Sequence, residues 1–492
     1  MASVQEEHRQ IKFTREALEA LSKEQLIDIV LLQQEQTETL MLRVKALEAL
    51  VEELMGRLGM SSRNSSRPPS SDGPGAEPRK TRKGGKRKPG GQPGHEGHHR
   101  ELLPVEKVDK VVVLKPCACG RCGRKLEGED PRPVRHQVWE IPPVQPCVEE
   151  FQLHGLWCAD CGAFTRASLP EGAPEGAFGP RLTATVAILS GVYRLSKRSI
   201  ESILADFFHI RISLGSICAC EAQVSAALAQ PVQEAWQAAQ AAGVLHADET
   251  GWREGNKKAW LWVAATSVAT VFMIHASRAQ EAARELLGVF AGVLVSDRWG
   301  GYNFYSGPRQ WCWAHLRRDF TAFGELEGKA GEIGGALLAK ADQMFHWWHR
   351  VRDGTLKRDT FRQYMWRLRA EVETLLREGA CCGDKKMERS CRRILDGAKH
   401  LWAFVAIEGV EPTNNTAERA VRPAVQWRKD SFGTHSAEGS RFVERIMTAA
   451  ATCRQHDRNV TEYITQACAA RLHGSPSPSL LHTPSQVQAN AA

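Results

Sequence analysis

The chain has 492 residues, 42% of them hydrophobic and 25% charged, with a formal net charge of +8. That length exceeds a single core and suggests about three or more domains. No apolar run reaches the roughly 18 residues of a membrane span, and the polar start MASVQEEHRQ is no secretory signal. Fourteen cysteines without such a signal read as reduced thiols, some of them on metal, in a cytoplasm.

Residues 1–62 carry an apolar seam. Leu40, Val44, Leu47, Val51, Leu54 and Leu58 step by 4, 3, 4, 3, 4, the a/d pattern of a leucine-zipper-like coiled coil. Arg43 at a g position could pair with Glu48 at the following e position of a parallel partner. The spacing predicts a helix that associates with a second copy. Residues 63–103 form a linker, first Ser/Pro-rich and then basic. Seven of the ten residues from Arg79 to Lys88 are Lys or Arg. Lys83, Lys86, Arg87 and Lys88 would grip a phosphate backbone without reading its sequence.

Residues 104–170 hold Cys119-x-x-Cys122 and Cys158-x-x-Cys161, with 158 − 122 = 36 between the pairs. Two such turns supply four thiolates for a closed, structural zinc site, as in a zinc ribbon. Residues 175–240 read as helical. LSKRSIESILADFFHI and SLGSICACEAQVSAAL are amphipathic runs with Ser start signals and a short turn between them. They suggest a DNA-binding helix-turn-helix.

From Gly243 the pattern becomes β-β-β-α-β, a mixed sheet. Asp248 leaves the first strand and Asp297 the fourth. Acids at neighbouring strand ends repel unless cations hold them, and Mg²⁺ or Mn²⁺ prefers such oxygens. Two ions about 4 Å apart can drive in-line phosphoryl transfer. Glu418 is the candidate third acid. The spacings are 297 − 248 = 49 and 418 − 297 = 121, and a helical insertion over 321–410 accounts for the second.

Glu418 lies in PTNNTAERAVRPAVQWRKDSFG, among Arg419, Arg422, Arg428 and Lys429. Alone, that reads as a surface helix with a Glu418–Arg422 pair. With the other two acids it reads as a helix that holds metal and turns Arg422, Arg428 and Lys429 toward phosphates. Pro423 is expected to kink or end the helix and Asn415 to cap it. His246 is a packed strand histidine or a water-orienting group. His315 and Arg317, in CWAHLRR, fit a place near phosphate. Trp311, Trp313, Trp347 and Trp348 read as packing.

HADETGWREGNKKAWLWVAAT, VSDRWGGYNFY, CWAHLRRDF and TNNTAERAVRPAVQWRKDSFG resemble the signature blocks of the insertion sequence 66 family of bacterial DDE transposases. NSSRPPSSDG, GGQPGH and the paired C-x-x-C are similar to that family's N-terminal half, and the likeness covers about residues 20–465. It implies a ribonuclease-H-like catalytic domain over 241–465 with Asp248, Asp297 and Glu418 as the magnesium triad. It also implies action on element ends and target DNA, self-association, accessory proteins of the same element, and a bacterial, nucleoid-associated location. The tail, 466–492, departs from the family by lacking an apolar, Trp-containing close. Two other readings share these features: a catalytically inactive, dimeric, zinc-containing DNA-binding protein, and a structure-selective nuclease on the same fold.

Overall fold

The computed structural model describes residues 15–58, 64 and 100–481. The basic run with Lys83, Lys86, Arg87 and Lys88 lies outside the described residues. The chain divides into two compact units, 1–76 with 313–398, and 77–312 with 399–492.

In the first unit, α1 (Arg15–Glu19) precedes α2 (Lys23–Leu58). Thirty-six residues at 1.5 Å each make a rod of about 54 Å. Leu40, Val44, Leu47 and Val51 of the heptad seam are all at least half exposed in the single chain. The second unit opens with residues 100–179, where β1 (Gly155–Trp157) and β2 (Phe164–Arg166) form an antiparallel hairpin.

Next comes a helical layer: α3 (Pro180–Gly191), α4 (Lys197–Phe208), α5 (Leu214–Ala227) and α6 (Ala229–Gln240). The expected start signals are the observed caps. Ser196 accepts from the Ser199 N–H and Ser213 from the Ser216 N–H, each bond satisfying one orphan donor of a first turn. Ile200, Leu204, Ile212, Ile217 and Cys220 close a small core between α4 and α5. The helix pair is therefore present. However, α5 contains no Lys or Arg and buries one side, Ile217, Cys220 and Val224. On α4, Lys197 pairs with Glu221 at 2.9 Å.

The predicted β-β-β-α-β order follows: β3 (Val244–Glu254), β4 (Lys257–Ala265), β5 (Thr270–His275), α7 (Gln280–Leu287) and β6 (Val293–Ser296), then β7 (Arg309–Trp311). The sheet order is β5-β4-β3-β6-β7. The β3–β4 and β4–β5 pairs are antiparallel; β3–β6 and β6–β7 are parallel. β4 reads KKAWLWVAA and buries Leu261 through Ala265 without a break, as a central strand covered on both faces does.

The helical segment begins at residue 313 rather than 321. It comprises α8 (Trp313–Gly324), α9 (Gly328–Arg352), α10 (Arg358–Gly379) and α11 (Lys385–Asp396), all in the first unit. Met344, Trp348, Phe361 and Met365 are buried there. The tryptophans behave as packing residues: Trp347 tilts against Tyr364 and Trp348 against Phe361.

The chain then returns to the second unit through α12 (Ala403–Ala406), α13 (Asn415–Ser431), α14 (Ala437–Gln455) and α15 (Val460–Leu472). The boundary expected at 465 falls inside α15. Residues beyond that helix are also fixed: Leu480 is fully buried, Tyr463 Oη donates to Pro478 O at 2.8 Å, and Arg458 Nη1 to Ser479 O at 2.8 Å.

α14 closes the β5 edge. The N–H groups of Thr270, Phe272 and Ile274 point away from β4. They meet Thr452 Oγ1 (3.2 Å), Thr448 Oγ1 (3.1 Å) and Glu444 Oε1 (2.5 Å). Acceptors four residues apart stack along one helix face, and the three donors alternate along a strand. The side chains of α14 thus stand where another strand would.

Candidate active site

The parallel register of β3 and β6 joins Val244 to Val293, Leu245 to Leu294 and His246 to Val295. Each pair differs by 49, which is also 297 − 248. Carried two residues further, the same interval sets Asp248, within β3, beside Asp297, just past the end of β6, on strands about 4.8 Å apart. Asp297 Oδ1 accepts the Trp299 N–H at 2.9 Å and Asp248 Oδ1 the Glu249 N–H at 2.9 Å. Asp297 is thus held by the turn that follows β6, whereas Asp248 lies within β3, which continues to Glu254 instead of ending at the acid.

α13 packs against β3 and β4. It puts Glu418 in its first turn, where the helix dipole favours an anion. Burial raises the Asp248 carboxyl well above the usual range, and the charges of Glu249, Asp297 and Glu418 push it further in the same direction. The three expected acids thus share one electrostatic neighbourhood.

Glu249 is a fourth acid that the sequence reading passed over. Alternation along the strand turns it to the face opposite Asp248. There the Arg278 guanidinium meets it at 2.9 Å and Tyr302 Oη donates to it at 3.4 Å. Arg278 also lies over the Trp260 and Trp299 rings, 4.9 and 5.4 Å from their centroids. Burial and the Asp297 charge raise Glu249, against the pull of Arg278. Arg309 on β7 is buried below, with Nη1 on Asn303 Oδ1 at 3.2 Å, and it feels the Asp297 charge. Such residues are visible in sequence only as an acid following Asp248 and as scattered arginines.

Asn414, not Asn415, occupies the N-cap position, and its side chain does not cap. Instead Nδ2 donates to Ala247 O at 2.8 Å, and Oδ1 faces His246 Nδ1 at 3.3 Å. That arrangement assigns the proton to Nδ1. Burial pushes His246 down to about 4, so it is neutral at pH 7 and packs as a strand histidine.

Pro423 does not end the helix, which runs on to Ser431. Proline removes one intrahelical bond, while buried Ala417, Val421 and Ala424 hold both halves of α13 to the core. Of the expected phosphate-facing residues, Arg422 and Lys429 are exposed. Arg428 turns inward, its Nη1 donating to Thr250 Oγ1 at 3.1 Å and Gly251 O at 2.9 Å. A Cβ at Gly251 would sit 3.0 Å from that nitrogen, so glycine leaves it room. His315 and Arg317 lie on α8 in the helical unit, where Arg317 pairs with Asp342 at 2.6 Å.

The two cysteine turns are alike. The N–H groups of Cys119 and Gly123 meet Arg124 O and Cys119 O; those of Cys158 and Gly162 meet Ala163 O and Cys158 O. Both glycines have φ 72°, which glycine adopts without strain. Backbone N–H groups of Arg121 and Cys122, and of Cys161 and Asp160, lower the Cys119 and Cys158 thiols. Each knuckle is thus formed and favours thiolate. Among the described residues, no three of the four thiols lie within 4.8 Å of one another.

The sheet thus carries Asp248 within β3 and Asp297 just past the adjacent parallel β6, with Glu418 on the helix packed against β3 and β4. The family model described as Transposase IS66 family matches residues 175–441, and the chain belongs to that family. A second model, a family of unknown function (DUF6444), matches residues 8–101. The chain is 24% identical to the uncharacterised protein y4qI of Sinorhizobium fredii over 247 residues, 45% of either chain. It is 23% identical to y4hP of the same organism over 392 residues, 71% of this chain and 69% of that one. The chain thus spans less than half the length of y4qI.

Proposed function

We propose that the protein is a DNA transposase that cuts the ends of an insertion sequence and joins them to target DNA. One observation carries this reading: the 49-residue register that aligns Asp248 with Asp297, with Glu418 close enough to perturb Asp248. The order of the sheet and its flanking helices is in keeping with a ribonuclease-H-like domain.

The donor set fits magnesium or manganese. Asp248 feels the charges of Glu249, Asp297 and Glu418; Arg278 neutralises Glu249, and the other three are hard oxygen donors whose mutual repulsion a cation would relieve. Asp248, Asp297 and Glu418 would hold the metal. When bound, it would activate the attacking oxygen and stabilise the leaving one. The chain's own residues orient these acids: the Glu249 and Trp299 N–H groups fix two carboxylates, and Asn414 fixes the loop that delivers Glu418. Exposed Arg422 and Lys429 on the same helix would meet DNA phosphates.

The N-terminal parts serve the same end in this reading. α2 would pair two protomers so that two element ends meet. The basic arm would hold DNA. The four thiolates of Cys119, Cys122, Cys158 and Cys161 would fold residues 104–170 around zinc. Accessory proteins of the element could complete the assembly. Among the described residues no helix is long and apolar enough to cross a membrane.

The test is a cleavage and joining assay with labelled duplexes bearing the element ends, in Mg²⁺ or Mn²⁺. Nicked and joined products are expected, and Asp297→Asn or Glu418→Gln should abolish both while DNA binding persists. Normal cleavage by either variant would remove the proposed triad.

A further inference from the structure

α13 has a second working face. Thr416, Ala420, Pro423 and Trp427 recur at helical spacing on the side turned away from Glu418. They line one wall of a cavity of about 580 Å³, within the roughly 300–1,000 Å³ of small-molecule sites. Buried Phe272 and Met447 line it, with half-buried Trp427. Trp427 meets Trp252 in a T-shaped contact at 6.2 Å, which holds its ring in one orientation.

Three arginines border this cavity: Arg194, Arg419 and Arg454. No carboxylate is recorded within ion-pair distance of them among the described residues. Three polar residues of the wall are engaged with one another, Thr270 Oγ1 donating to Gln455 Oε1 and Gln455 Nε2 to Thr266 O, which leaves the Thr416 hydroxyl beside the arginines. Recognition of a polar ligand would therefore fall to these groups.

Arg194 is the most informative of the three. It stands just past the end of α3 with φ 62°, closed by the Leu195 N–H on Leu189 O. Helices commonly place glycine there, and an arginine in that conformation is strained by about 1 kcal/mol or more. Its Nε is buried without a hydrogen-bond partner among the described residues. A strained backbone thus places Arg194 in the cavity wall, with Nη1 on Val192 O at 3.5 Å.

An apolar aromatic hole bordered by unpaired cations fits a planar base attached to phosphate. Stacking on aromatic rings and charge on the backbone are how single strands are held. The cavity is one helix diameter, about 10 Å, from the side of α13 that carries Glu418, and Arg419 follows Glu418 directly. Arg419 also acts on His246, two residues before Asp248.

We propose that this cavity captures an unpaired nucleotide of the DNA strand that is cut beside Asp248, Asp297 and Glu418. The base would lie against Trp427, Phe272 and Met447, with its phosphates on Arg194, Arg419 and Arg454. The inference rests on the transposase reading and extends it: the enzyme takes duplexes with an opened end.

The test uses the full chain and three duplexes: blunt, with a four-nucleotide 3′ overhang, and with the same overhang made abasic. The base-bearing overhang should bind about tenfold more tightly than the abasic one, and 2-aminopurine in the overhang should change fluorescence on binding. Trp427→Ala should erase that preference. Arg194→Gly, which removes a phosphate contact yet suits the backbone, should weaken both overhangs alike and leave the preference in place, while its Tm holds or rises. Equal binding of abasic and base-bearing overhangs would mean a phosphate groove only and would overturn the proposal. A preference kept in Trp427→Ala, or an unchanged overhang affinity in Arg194→Gly, would also overturn it. Metal-dependent cleavage is scored separately with Asp297→Asn. The cavity can thus fail while the acids stand, and a wild type that never cuts would remove the reading beneath it.

Discussion

Asn414 spans two strand atoms, donating to the Ala247 carbonyl at 2.8 Å and facing His246 Nδ1 at 3.3 Å. The loop that delivers Glu418 is thereby fastened to β3 one residue before Asp248. In Asn414→Ala both partners stay buried and lose this contact, so stability should fall by about 1–3 kcal/mol. Cleavage should fall further than melting alone explains, because Glu418 loses its register with Asp248. Thermal melts beside cleavage rates at a temperature where the variant is folded would check this.

The acids make a metal prediction. Burial and neighbouring charges hold Asp248 well above the usual carboxyl range, so the metal-free cluster is repulsive. Asp248→Asn should melt at or above the metal-free wild type. Added Mg²⁺ should raise the wild-type Tm and leave the variant unmoved. Since a raised carboxyl holds its proton longer, metal affinity should drop as pH falls. Titration of Tm against Mg²⁺ at two pH values measures both.

Two buried groups give opposing pH slopes. Glu444 is raised to about 7, first by burial. The folded state then binds the extra proton, so its contribution to stability declines as pH rises from about 4.5 to 7. His246 is lowered to about 4 by burial, so its contribution is lost as pH falls from about 6.5 to 4. In Glu444→Gln the acceptor for the Ile274 N–H remains and the first slope disappears. That variant should gain on the order of 2 kcal/mol above pH 7 and lose stability more steeply than wild type in acid. Urea unfolding at pH 5, 6 and 8 would show it.

The exposed seam of α2 should pair copies of the chain. Leu47 and Val51 are 60% and 55% exposed in the single chain. Leu47→Asp with Val51→Asp should convert the assembly to monomer in sedimentation velocity, with the melt of the sheet domain unchanged. An unchanged sedimentation coefficient would place self-association elsewhere.

The knuckles should bind one zinc ion per chain. Cys158→Ser should reduce bound zinc below one equivalent and make residues 100–179 protease-sensitive. Cys117→Ser, outside both knuckles, should change neither.

Much of this arrangement was legible in advance because it is local or periodic. Serines before amphipathic runs mark the caps of α4 and α5, whereas the acid that closes the first apolar run, Asp248, lies inside β3, whose polar second half, ETGWRE, hides its length. The 49-residue interval was visible as a number, but its meaning as a strand register required the parallel pairing itself. The rest depended on contacts distant in sequence. Asn415 looked like the cap because capping was judged locally, whereas Asn414 is drawn away by a strand 167 residues earlier. Pro423 looked like a stop because the packing that holds α13 on both sides of it comes from β3 and β4. Arg428 resembled its basic neighbours until Thr250 and Gly251 claimed it. Glu249 looked redundant beside Asp248, since only the folded sheet puts Arg278 and Tyr302 on its side.

The stripe of Glu444, Thr448 and Thr452 along β5 has a bearing on how copies of the chain can meet. An uncovered strand edge is an invitation to add another strand, and here every outward N–H of Thr270, Phe272 and Ile274 already has an acceptor from the same chain. A foreign strand would have to displace three acceptors at once, one of them a buried carboxyl. This margin of the sheet is therefore closed to β-augmentation. Protomers gathering on DNA would not join by pairing strands at β5, so crowding on one nucleic acid would not fuse their sheets along that margin.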